Sequence, residues 1–390
     1  MKKSLPVISR TRQARVILYA KRSAALFLSA AMSLCATQPS RADDGGALVH
    51  PRSDHTATLL ADGRVLLAGG IAYARVGIVA TATCEIYNPA TNKWRATRSM
   101  NEARRVAGSV LLPDGRALVM GGATTTEFPL SSAEIYDPAT RVWSVTTSMN
   151  RARLAISPIV LPDGMVLVAG GGNDAQSCEL YDPATATWTF TGSLLQKRFG
   201  HHATLLTNGK VLVAGGVAGH HGFVAQCELY DPATGTWSAT GALNVARTSN
   251  VQVLLAGGGV LVAGGYYGDP NDLTITDSAE IYDPTTGLWK TSGSLTVPRV
   301  DFTANLLNDG KVFAAGGSNQ PFEGGLASVE EFDPSTGGWL ELPTMLAPPR
   351  YQHTTTTLHD GSLIVAGGFA TGFGDFAPNG QFFVKPEGER

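Results

Sequence analysis

The chain has 390 residues with 45 Gly and 21 Pro, only 16% charged residues and a formal charge of −2. Residues 1–42 hold eight Lys or Arg and no acid, which leaves 22 basic against 32 acidic residues, a formal charge of −10, in the remainder. So acidic a body argues against nucleic acid and anionic membrane as partners, because neutralising phosphate needs clustered cations.

The N-terminus reads as an export signal. Lys2, Lys3, Arg10, Arg12, Arg15, Lys21 and Arg22 precede an apolar stretch over residues 24–36 that is too short to span a bilayer comfortably. Ser40 and Ala42 supply small residues at the −3 and −1 positions, placing cleavage after Ala42. Residues 1–42 are therefore expected to be a signal peptide and 43–390 an exported monomer, periplasmic or secreted. An uncleaved anchor is the alternative. Leu34 ahead of Cys35 argues against a lipid anchor.

From there a single unit recurs. A Gly-Gly doublet closes an apolar run at Gly69-Gly70, Gly121-Gly122, Gly170-Gly171, Gly215-Gly216, Gly264-Gly265, Gly316-Gly317 and Gly367-Gly368. An arginine stands 17 residues ahead of each doublet, at Arg52, Arg104, Arg153, Arg198, Arg247, Arg299 and Arg350. Two independent markers count seven, and repeats at this period indicate stacked or radial units. Each unit reads as four strands. The first, such as residues 55–60, leads into Asp62-Gly63 or its equivalent, read as a type I′ hairpin turn. The second is apolar throughout, as burial on both faces requires. After a variable loop comes a third strand of the Glu85-Ile86-Tyr87 type, then an Asp-Pro-Ala-Thr turn, then a fourth strand opening with tryptophan. One such sheet cannot bury both faces alone; seven arranged radially bury one another's.

The order arginine, hairpin, Gly-Gly, Glu-x-Tyr-Asp-Pro, tryptophan resembles the kelch motif over nearly all of residues 43–390. The resemblance implies an all-β, seven-bladed propeller of four-stranded antiparallel blades. Six tryptophans accompany seven doublets. Counting ten residues back from Arg52, the tryptophan spacing of blades one to five, reaches Ala42, so residues 43–48 are expected to supply an outer strand to the last blade. The rest of that blade comes from the C-terminal end, through residues 382–384. A frayed N-terminus beside a three-stranded last blade is the alternative.

A charge present once per blade is scaffold rather than seven separate active sites. The seven arginines and Glu85, Glu134, Glu179, Glu228, Glu280 and Glu330 are accordingly expected to pair on one face, since buried charges persist only when paired. Gln381 takes the seventh glutamate position and weakens that pair. The recurring Tyr and Trp are read as packing between blades. Cys84, Cys178 and Cys227 stand where other blades have Ala133 and Ala279, and are read as small buried residues.

Function belongs to the residues that do not repeat. Three arginines are followed at +3 by His55, His201 and His353, expected near the channel mouth, either as structural groups or as ligand contacts. The loops between second and third strands carry His220, His221, Tyr266, Tyr267 and Phe322, further ligand candidates on a rigid scaffold. Blade three has the shortest such loop, where the rim is expected to dip. The family includes galactose-oxidase-like copper enzymes, whose chemistry needs two His, two Tyr and a Cys cross-linked to one Tyr. No cysteine outside the leader departs from the repeat, so no metal or other cofactor is expected. The reading is a non-enzymatic module binding a protein or carbohydrate. A small-sugar epimerase or mutarotase at the channel mouth is the runner-up, and a purely structural surface protein the third possibility.

Overall fold

The computed structural model describes residues 43–383 apart from Val76, Glu127, Asn173, Asp174, His220, His221, Pro270, Asn271 and Phe322. The expected leader lies outside the described residues. So do the ligand candidates His220, His221 and Phe322.

Seven four-stranded antiparallel sheets follow one another along the chain. In blade one they are Thr56–Leu59, Val65–Ala68, Cys84–Asn88 and Lys93–Thr97, from the axis outward. The second strand is fully buried in every blade, which explains its unbroken apolar run. Between each pair of neighbouring blades lies one apolar cluster, seven in all. Within each of six blades a third-strand aromatic packs on the tryptophan at 4.9–5.2 Å between ring centroids, from Tyr87–Trp94 to Phe332–Trp339.

Blade seven is composite. Its outer strand Asp43–Ala47 pairs antiparallel with Asn379–Phe383, with Asp43 opposite Phe382 and Ala47 opposite Asn379. That third strand begins three residues before the position expected from sequence, because Asn379 and Gly380 already pair inward or outward with their neighbours.

The hairpin between first and second strands differs from the expected type I′ turn. At Asp62-Gly63 only glycine has a positive φ, 82°. The Gly63 amide donates to Leu60 O (2.9 Å) and the Leu60 amide to Arg64 O (2.8 Å). This is a type I turn followed by a left-handed glycine, the three-residue hairpin with a G1 bulge. Asp62 uses its carboxylate instead of a left-handed backbone, accepting the Arg64 amide at 3.0 Å.

The Gly-Gly doublet is where one blade meets the next. Its second glycine donates its amide to the main-chain carbonyl of the following blade's repeat arginine, at 2.8–3.0 Å across all seven interfaces, from Gly70–Arg104 round to Gly368–Arg52. Both glycines have positive φ. A Cβ on Gly121 would stand 2.5 Å from Arg153 O, and one on Gly265 2.5 Å from Thr248 O. Backbone passes where side chains would be, so glycine is required for conformation and space together.

Gly265→Ala is therefore expected to destabilise the propeller by about 2–4 kcal/mol. Gly257→Ala, where φ is not positive and nothing lies within 4 Å of the added methyl, is expected to change stability by about 0.5 kcal/mol or less. Chemical denaturation of the two variants decides it; equal costs would sink the packing account.

Candidate functional site

The face that carries the arginine segments rests on a buried ionic lattice. All seven arginine side chains are buried, and each guanidinium donates to the carbonyl of its own blade's first doublet glycine, from Arg52–Gly69 to Arg350–Gly367. In five blades it meets the expected glutamate at 2.6–3.2 Å, and Arg299 also contacts Glu330. The carboxylate oxygens then accept two main-chain amides two and three residues before the arginine: Glu85 holds Val49 (2.7 Å) and His50 (3.0 Å). These charges are spent on the frame.

Blade seven shows why glutamine replaces the carboxylate there. The residue two before Arg350 is Pro348, which has no amide to give, so a second carboxylate oxygen would be left without its usual donor. Gln381 instead accepts the Ala347 amide (2.9 Å) and donates to Met345 O (2.9 Å). Arg350 is held by carbonyls and by Asn379 Oδ1. Lacking a carboxylate, its pKa is lowered by burial to about 10.

Two residues past each arginine the chain turns through a left-handed residue: Asp54, Val106, Ala155, Gly200, Ser249, Asp301 and Gln352, with φ between 50° and 61°. These seven ring the axis. Five seams are closed by an amide donating to the preceding blade's carbonyl, as in Val106–Asp54 (3.0 Å) and Gln352–Asp301 (2.9 Å). At the other two, Thr248 Oγ1 donates to Gly200 O (3.0 Å) and Ser53 Oγ to Gln352 O (3.2 Å). The result is a rigid mouth with a polar sector. Arg105 Nη1 stands 3.6 Å from Asp54 Oδ2, both side chains partly exposed. Gln352 Nε2 donates to Asp301 Oδ2 at 3.3 Å. Burial pushes both carboxyls up; Asp301, further raised by the Asp54 charge, reaches about 6, while Arg105 pulls Asp54 back down in part. Sequence reading missed this ring because its members share a backbone conformation and no residue type. The available signal was the pair of acids two residues after Arg52 and Arg299.

The three histidines do not line the mouth. His55, His201 and His353 are only 7%, 3% and 6% exposed, wedged between blades. His55 Nε2 bonds Thr354 Oγ1 (2.9 Å) and His353 Nε2 bonds Thr303 Oγ1 (3.0 Å), each on the preceding blade's inner strand. Among the described residues, His201 has no hydrogen-bond partner at either ring nitrogen. Burial is the largest cause that lowers all three pKa values, His55 to about 3, so they are neutral interblade spacers. The ligand expectation for them is corrected: the +3 side chain turns inward past the glycine doublets. A Cβ added to Gly367, for example, would stand 2.6 Å from His55 Cε1. Tyr266 is likewise corrected, being buried, while Tyr267 is half-buried in a loop hairpin, Tyr266–Asp269 with Asp272–Ile275.

Above the mouth, second-to-third-strand loops form hairpins in blades one, five and six. Tyr73, Phe128 and Phe373, from blades one, two and seven, are the exposed aromatics of this face among the described residues. The Tyr73 hydroxyl donates to Gly374 O, and the Ala80 amide to Thr125 Oγ1 (2.9 Å), so these three loops are joined.

Residues 157–368 match the KLHDC2/KLHL20/DRC7 Kelch-repeats domain, and residues 104–150 match the Kelch motif. The chain belongs to the kelch-repeat family. An F-box/kelch-repeat protein of Arabidopsis thaliana is 36% identical over 74 residues, 19% of this chain and 19% of that protein, so the match spans under a fifth of the relative. A solved fungal alcohol oxidase of the AA5 family, in complex with copper, superposes with a TM-score of 0.72 at 20% identity, over 89% of this chain and 77% of that one. At that identity the likeness is one of fold. This kelch propeller gathers no group of three His, Cys, Asp or Glu among its described residues. Its thiols Cys84, Cys178 and Cys227 are free and buried, and burial raises them to about 11, 11 and 12. The donor set of a cross-linked copper centre is not assembled by these residues.

Two outcomes follow. Glu280→Gln strips a buried guanidinium of its countercharge and is expected to cost about 3–5 kcal/mol. Gln381→Ala removes neutral bonds only and is expected to cost about 1–3 kcal/mol. Equal losses in denaturant titrations would overturn the division between ionic and neutral blades. The second outcome concerns pH. Asp301 binds its proton more tightly folded than unfolded, so its contribution to stability is present below about pH 4 and is lost as pH rises through about 6. The difference in melting temperature between Asp301→Asn and the unaltered protein is expected to grow in the variant's favour from pH 4 to 7. A flat difference would overturn the raised carboxyl.

Proposed function

We propose that this kelch propeller is an exported, non-enzymatic binding module whose mouth face takes a protein segment presenting a basic or amide side chain. The observation that carries the proposal is the pair Asp54 and Asp301, half-sheltered in a rigid ring where Arg105 is the one ion-pair partner among the described residues. A cationic group entering there gains two carboxylates already stripped of much of their water, an arrangement that favours selective binding. Exposed Tyr73, Phe128 and Phe373 offer apolar contact area of the kind that anchors interfaces. Kelch propellers generally mediate protein interactions, which agrees with this choice over a carbohydrate. The basic, small-residue pattern of residues 1–42 supports export.

A second reading has one observation in its favour. A carboxyl raised to about 6 beside another acid is the arrangement a small-sugar isomerising enzyme would use for proton transfer.

The protein recovered from the exported fraction, with its N-terminus sequenced, is the material for the test on peptide and glycan arrays. The expected result is capture of Lys- or Arg-bearing peptides, weakened about tenfold or more in an Asp54→Asn/Asp301→Asn double variant. Capture of glycans alone, or peptide binding indifferent to both substitutions, would overturn the protein-ligand assignment. Sugar interconversion abolished by Asp301→Asn would establish the enzyme reading instead.

A further inference from the structure

Along the outer strand of blade one, a groove of about 710 Å³ runs between blades one and two. Five of its lining side chains are cationic: Arg64, Lys93, Arg95, Arg98 and Arg141. None of its lining residues is acidic. In a body with a formal charge of −10 this is a local inversion of sign.

Four of the five cations are not committed elsewhere. Arg64 is neutralised by Asp62 at 2.5 Å and reaches across to Pro138 O at 3.3 Å, tying the two blades together. Lys93, Arg95, Arg98 and Arg141 are exposed, with no ion-pair partner among the described residues. The nearby acid Asp137 is occupied by its own turn, accepting the Ala139 amide (2.8 Å) and the Thr140 hydroxyl (2.9 Å). The groove is also held in shape, because Trp143 Nε1 donates to Arg98 O at 2.9 Å.

These charges are departures from the repeat. Where blade one has Lys93 before its tryptophan, the others have Val142, Thr187, Thr236, Leu288 and Gly338. Where it has Arg98 four residues after, the others have Thr147, Gly192, Gly241, Gly293 and Pro343. The fold manages without them in five other blades, so folding does not account for them.

We infer that this groove binds an acidic polysaccharide, one whose carboxylate or sulfate groups recur along the chain. Four unpaired cations spread over two blades suit a string of separated anions. Asn88, Thr91 and Thr140 offer hydrogen-bonding groups for sugar hydroxyls between them. Single-stranded nucleic acid fits less well, because no aromatic ring lines the groove on which a base could stack. The inference is independent of the mouth and its ligand.

The test uses the full purified protein against immobilised heparin, polygalacturonate and single-stranded DNA, at about 50 and 200 mM salt. Releasing about four counterions is expected to weaken polysaccharide binding about 100-fold over that range. Lys93→Ala/Arg95→Ala/Arg98→Ala/Arg141→Ala is expected to lose about tenfold or more at the lower salt and to flatten the salt dependence. A control removing as many cations elsewhere, Lys197, Lys210, Lys290 and Lys311, is expected to retain at least half of the binding. Heparin preferred marks the sulfated source, polygalacturonate the carboxylated one. Equal loss in the control, no binding to either polysaccharide, or tighter binding to the DNA would each overturn the assignment. All eight positions are surface side chains, and unchanged melting temperatures exclude misfolding as the cause.

Discussion

Each repeat arginine acts through two chemically distinct ends. Its guanidinium grips the carbonyl of its own blade's first doublet glycine, while its main-chain carbonyl takes the amide of the preceding blade's second glycine. One residue thus fixes the path of its own blade and the contact with its neighbour, seven times round the ring. Lysine could not replace it. The guanidinium of Arg52 bonds Gly69 O, Thr83 O, Thr83 Oγ1 and Glu85 Oε1 together, a use of several donors in one planar fork that an ammonium cannot match. The charge is buried and so demands a countercharge, and the glutamate that supplies it also orders the incoming connection by accepting its amides.

That coupling explains what was legible in the sequence. Blade number and register could be read because arginine, glycine doublet and glutamate are tied to one another by bonds, so their spacing cannot drift. The closing strand was legible for the same reason: the distance from Arg52 back to residue 43 is set by the other blades. The turn after the first strand was misread, since Asp-Gly is compatible with more than one hairpin and only the backbone angles separate them. The mouth was not legible at all. Asp54, Val106, Ala155, Gly200, Ser249, Asp301 and Gln352 are alike in φ and unlike in everything a sequence displays. The histidines were found by spacing but assigned the wrong exposure, because the chain reverses between +2 and +3 and carries the next side chain down between blades. Net charge hid the basic groove, being an average over a chain whose strands carry very different charge.

In six blades the repeated charges are paired inside the scaffold, whereas Lys93, Arg95, Arg98 and Arg141 face solvent. This division follows from the fold. A side chain required by the frame is required in every blade, and its partners recur with it. A side chain that appears once has no such partner, and its solvation or its ligand must come from outside. Arg98, exposed on the outer strand of blade one, is of this kind.

Closure imposes a further constraint on the mouth. A ring of seven blades is continuous only if the seam between blades seven and one holds, and there the repeat is imperfect. The N-terminal strand brings no tryptophan, and the Tyr87 hydroxyl turns to Asn92 in its own blade, whereas Tyr136, Tyr181, Tyr230 and Tyr282 reach a threonine on the preceding one. The loops above the seam compensate. Ile71, Tyr351, Phe369 and Phe376 form a small apolar cluster across it, and Tyr73 packs edge-on against Phe376 at 5.2 Å while bonding Gly374. The same loops present Tyr73 and Phe373 to solvent. A ligand seated on these aromatics would rest on the clasp that holds the ring shut, so binding there stabilises the closed propeller by the linkage that any native-state ligand obeys.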